Sequence, residues 1–115
     1  GVDIKINKLE LLRIVKLAAL FSRGVGGSII CEAKSNTQTF SVSSVVNEYG
    51  ENASEIEAEI QSDGKVILNS RYLIDVINVI EEEYLTFGIS GKLAPVVIRN
   101  EKSNNYTHTI MPLKS

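Results

Sequence analysis

Two stretches of this chain run from a short alternating strand straight into a capped amphipathic helix, and that pairing restricts the fold more than any other feature. Residues 2–7 (VDIKIN) alternate apolar and polar, the period of a strand with one covered face. Asn7 follows as a helix N-cap, and Glu10 stands three residues on, where a capping-box partner reaches back. Residues 8–22 (KLELLRIVKLAALFS) are rich in good helix formers. At about 100° per residue, Leu11, Leu12, Ile14, Val15, Ala18, Ala19 and Phe21 fill one broad apolar arc. Arg13 and Lys16 fall on the opposite arc, and so do Leu9 and Leu20, which a merely solvated face does not require. The second copy begins with a short strand over 65–68. Asn69-Ser70 supplies another N-cap, and a helix is predicted over 71–80 (RYLIDVINVI). Tyr72, Leu73, Val76, Ile77, Val79 and Ile80 form its apolar side; Arg71, Asp75 and Asn78 line the polar one. Neither helix can leave its stripe in water, so both must pack on sheet.

The remaining segments supply that sheet. After a flexible glycine loop at 23–28 (RGVGGS), strands are predicted over 28–34, 38–47 and 54–61. The cleanest alternation is SEIEAEIQ, where Ile56, Ala58 and Ile60 point one way and Glu55, Glu57, Glu59 and Gln61 the other. Ser35-Asn36-Thr37 and Ser62-Asp63-Gly64 carry turn chemistry, and residues 49–52 form a longer connection. Glu81-Glu82-Glu83 ends a helix poorly and reads as a solvated hinge. Three last strands are predicted over 84–90, 95–99 and 106–113, joined at Gly91-Lys92 and by a turn at 102–105. The order is β-α-β-β-β-β-α-β-β-β, two copies of strand, helix and antiparallel run. The expected class is α+β, with two amphipathic helices side by side on one face of a continuous antiparallel sheet. Arg13, Lys16 and Arg71 would then face away from it. At 115 residues this is one domain with room for a core. An opening Gly with no Met suggests a piece of a longer chain, with no signal peptide visible.

A search for catalytic chemistry finds little. The single histidine, His108, lies inside the last strand with no carboxylate or Cys nearby in sequence, which reads as structural. The single cysteine, Cys31, sits mid-strand between apolar residues as a small buried hydrophobe; no internal disulfide is possible, and a reducing compartment follows. One His and one Cys cannot make a common zinc pattern. There is no Gly-x-Ser-x-Gly elbow, and the glycine loop lacks the Lys-Ser/Thr of a phosphate-binding loop. The acidic clusters at 48–59 and 81–83 read as solvated faces. A net charge of −2 argues against a strongly nucleic-acid-binding domain but leaves room for a local basic face.

Several motifs together resemble a known family. LNSRYLIDVINVI (68–80), APVVIRN (94–100) and the ending IMPLKS are similar to the third, C-terminal domain of the bacterial DNA polymerase III beta subunit, the replicative sliding clamp. INKLELLRIVKLAALFS (6–22) and GENASEIEAEI (50–60) extend the resemblance over nearly the whole chain. It implies the DNA-clamp fold and a non-catalytic, cytoplasmic role without cofactor, metal or membrane. Such clamps are homodimeric rings of three similar domains per subunit, with helices lining the hole. The implied partners are encircled double-stranded DNA, and DNA polymerase, clamp loader and repair factors docking by short peptides. Carried over residue by residue, Asn69, Tyr72, Leu93, Pro95, Thr109, Met111, Pro112 and Leu113 would wall the peptide groove. Arg13, Lys16 and Arg71 would face DNA, and Leu20 with Phe21 would contribute to the subunit joint. Lys114-Ser115 departs from the usual Met-Arg-Leu type of ending, and Lys lacks the planar fork of Arg. Two other readings are a generic α+β dimerisation module and a small hydrolase using the acidic strand around Glu55–Glu59.

Overall fold

The computed structural model describes residues 2–45, 53–100 and 107–113. Strand β1 (Val2–Asn7) runs directly into helix α1 (Lys8–Phe21), where the Asn7 side chain accepts a hydrogen bond from the Glu10 N–H at 3.0 Å. The helix ends because Ser22 turns back on it: Ser22 Oγ donates to the Ala18 carbonyl at 2.6 Å, and its N–H donates to Ala19 at 3.2 Å. A single 3-10 turn (Arg23–Val25) follows, then Gly26 and Gly27 with φ of 70° and 80°, a backbone that glycine adopts without penalty. Strands β2 (Ser28–Lys34), β3 (Thr39–Ser44), β4 (Ser54–Glu57), β5 (Glu59–Ile60) and β6 (Gly64–Asn69) lead to helix α2 (Ser70–Val79). Asn69 caps α2, accepting from the N–H groups of Arg71 at 2.9 Å and Tyr72 at 3.2 Å. Strands β7 (Tyr84–Ile89), β8 (Val96–Asn100) and β9 (Thr107–Ile110) complete the order.

The doubled strand-helix-strand plan is present, but the strands divide into two antiparallel sheets instead of one continuous sheet. One has the order β5-β1-β7-β8-β9, the other β4-β3-β2-β6. The strand expected over 54–61 is broken at Ala58. Ile56 pairs with Phe40 in the second sheet, whereas Ile60 pairs with Ile4 in the first, so one alternating stretch serves both. Gln38 holds the break. Its backbone carbonyl accepts from Ala58 N at 3.1 Å, and its side-chain amide pairs with both backbone groups of Ile60, at 2.5 and 3.0 Å. The cost is a φ of 53°, which Gln rarely adopts. At another strand edge the sheets meet again, where the N–H of Leu113 donates to the Ile67 carbonyl of β6 at 2.8 Å. The end of the expected strand at Asn47, the connection at 49–52, the turn at 102–105, Tyr106 and Lys114-Ser115 lie outside the described residues.

One core joins all layers. Phe40 from β3 and Phe87 from β7 meet edge-on with ring centroids 5.2 Å apart. Leu11, Ile14, Val15 and Ala18 of α1 and Leu73 and Ile77 of α2 are buried in the same cluster. The helices lie antiparallel: Lys8 N–H, at the start of α1, donates to the Glu83 carbonyl beyond the end of α2, and Ser70 N–H, at the start of α2, donates to Gly27 beyond the end of α1. The apolar arcs read from the helical wheel are wider than the surface their neighbours cover. Phe21, Tyr72 and Val79, placed on those arcs, are all exposed.

Candidate functional site

The chain after β9 shapes one surface. Ile110 is buried against Val96 of β8, which anchors the strand. Met111 then points into solvent and is 60% exposed; Pro112 is half-buried. Proline cannot donate to a sheet ladder, so pairing skips it and resumes at Leu113 through the contact with Ile67. Ile67 lies two residues before the cap Asn69, so the tail is tied beside the start of α2, and α2 also packs next to β9. Tyr72, in the first turn of α2, is 61% exposed. Leu93, 59% exposed, projects from the β7–β8 loop, with Pro95 exposed two residues on. Thr109 is exposed on β9 opposite Val97. Leu93 and Leu113 share a hollow of about 320 Å³ on the outside of the second sheet.

The helix layer forms the second surface. Arg13, Lys16 and Arg71 are all exposed, on the sides of α1 and α2 turned from the core. Leu20 and Phe21, at the end of α1, are also exposed. Between this end of α1 and the start of α2 lies a hollow of about 490 Å³ lined by Ala19, Arg23, Asn69, Arg71, Ile74 and Asp75. Asn69 therefore does two jobs, since its Nδ2 also donates to the Gly26 carbonyl at 3.3 Å and fixes the loop there. Arg23 was not singled out from sequence; inside a glycine-rich stretch it looks like part of a linker. The exposed Leu9 and Val79 stand at the other end of the helix pair.

Catalytic equipment is sparse among the described residues. No group of three described His, Cys, Asp or Glu residues is placed to hold a metal. Cys31 is fully buried, and burial pushes its thiol up to about 12, far from a reactive thiolate. His108 is half-buried on β9, opposite Ile98. Glu55, Glu57 and Glu59 are exposed, and Glu59 forms an ion pair with Lys5 at 3.6 Å. Among the described residues, no helix is long and apolar enough to cross a membrane.

A domain of two linked antiparallel sheets under an antiparallel helix pair has the fold of a DNA-clamp domain. It superposes on the DNA polymerase III beta subunit of Pseudomonas aeruginosa with a TM-score of 0.87 at 17% identity, over 100% of this chain and 31% of that one. The Thermotoga maritima subunit gives 0.89 at 20% identity, over 99% and 31%. A Bartonella birtlesii sliding clamp bound to griselimycin gives 0.84 at 20% identity, over 100% and 31%. The chain thus spans about a third of the length of each. Residues 2–114 match the family model of the DNA polymerase III beta subunit, C-terminal domain, and the chain belongs to that family. Among curated protein sequences there is no match.

Proposed function

We propose that this chain is the C-terminal third of a processivity factor for DNA replication, a homodimeric ring that encircles double-stranded DNA. It is a cytoplasmic, non-catalytic accessory subunit that docks DNA polymerase, clamp loader and repair factors through short peptides. Asn69, Tyr72, Leu93, Pro95, Thr109, Met111, Pro112 and Leu113 make one wall of the docking groove. The observation that carries this reading is the exposure of Tyr72, Leu93, Met111 and Leu113 around the start of α2 and the β9 tail, on a domain whose other apolar side chains mostly fill one core. Large exposed apolar groups mark interfaces, and methionine repacks easily around different partners. Arg13, Lys16 and Arg71 attract phosphate at long range without reading sequence, while Leu20 and Phe21 contribute to the joint with the neighbouring subunit.

A labelled polymerase-tail peptide binding to the full subunit, followed by fluorescence anisotropy, tests the groove. Tyr72→Ala and Met111→Ala should each weaken binding about tenfold, the scale of a truncated interface anchor. Both side chains are exposed, so folding should be retained. Unchanged affinity in both variants would remove the groove assignment.

A further inference from the structure

The hollow shared by Leu93 and Leu113 extends beyond the residues assigned to the groove. Its floor is Ile30 of β2 and Ile67 of β6, which face each other across the ladder and are half-buried on the outside of the second sheet. Leu93 closes it from the β7–β8 loop and Leu113 from the tail. Two lysines, Lys65 on β6 and Lys92 beside Leu93, complete the lining, and both are exposed. No ion pair among the described residues uses either of them. Glu32 stands opposite Lys65 in the strand register but forms no ion pair with it. Among the described residues, the lining thus combines an apolar floor with two cations and no carboxylate.

We propose that this hollow is an extension of the docking groove, receiving the acidic flank of a partner peptide. An aliphatic side chain sits between Leu93 and Leu113 on Ile30 and Ile67, and neighbouring carboxylates meet Lys65 and Lys92. The proposal rests on the docking reading above and adds the chemistry of the partner: apolar anchors alone do not suffice, and negative charge next to them is selected. Charges at the edge of an interface act mainly through specificity and association rate, and salt screens them.

The test uses the full subunit and three versions of the polymerase-tail peptide. One carries an Asp pair on its amino-terminal flank, one an Asp pair on its carboxyl-terminal flank, and one Gln at all those positions. In the unmodified protein, one acidic version should bind about threefold to tenfold tighter than the Gln version, the range expected of two exposed ion pairs. This preference should vanish in Lys65→Gln/Lys92→Gln and reverse in Lys65→Glu/Lys92→Glu, with the Gln peptide unchanged throughout. Equal affinity of all three peptides for the unmodified protein would overturn the proposal. So would an acidic preference that survives in both double variants. If instead no version binds, or Tyr72→Ala and Met111→Ala leave the Gln peptide unaffected, the docking reading itself fails and the extension with it.

Discussion

Asp63 ties together two turns that lie 28 positions apart in sequence. Its Oδ1 accepts from the Ser35 N–H at 2.8 Å and from the Ser35 hydroxyl at 3.0 Å. Those two bonds, with the nearby Lys34 charge adding to them, hold its carboxyl below the ordinary aspartate value. Because the folded value lies below the unfolded one, the contact adds stability above the ordinary value of about 3.8 and loses it as pH falls through the folded value. Asp63→Asn should flatten the acid limb of a stability-versus-pH curve below about pH 4 and leave its shape at neutral pH unaltered; an identical acid limb in the variant would refute this. Both turns were legible from their Ser, Asn, Asp and Gly content, but the bond between them was not, since nothing local relates Ser35 to Asp63. Gln38 is similar. Its identity says little until Ile60, from another sheet, arrives to pair with its amide.

At the scale of elements, the helices were the most legible because their signals are local. Asn7 and Asn69 cap the helices they precede. Asn69→Ala removes a cap shared by two N–H groups together with the bond to Gly26, so unfolding should become easier by about 1–2 kcal/mol. Urea denaturation should show this as a lower midpoint with an unchanged slope, and an unmoved midpoint would contradict it. The strand break at Ala58 was illegible for a physical reason. Alternation reports which face of a strand is covered, not which sheet covers it. Ile56 and Ile60 are both buried, so the pattern continues through the break. The candidate site was readable only through the resemblance of its motifs. Tyr72 reads as core by helical spacing, and only the folded chain turns it outward.

At the scale of the whole molecule, the two sheets are joined at both margins, by the continuous chain at Ala58 and by the seam between Leu113 and Ile67. The domain is therefore a closed unit, and its exposed apolar residues are free to serve surfaces instead of stability. Leu20 is one of them, at 57% exposure. Leu20→Lys in the full subunit should shift it toward monomer in sedimentation analysis while the thermal unfolding of this domain stays within about 0.5 kcal/mol of the original, as exposed substitutions usually do. A dimer mass that persists would take Leu20 out of the joint.

The antiparallel placement of α1 and α2 has a consequence for anything that moves across them. Each helix carries a dipole of roughly half an elementary charge at each end, and here the positive end of one lies beside the negative end of the other. Along the shared axis the two largely cancel. What remains is the charge of side chains such as Arg13, Lys16 and Arg71. The slope along the layer is therefore set by side chains: Arg23 and Arg71 stand at one end of the pair and Glu10, Glu81 and Glu83 at the other, so a polyanion held against it is drawn toward the first.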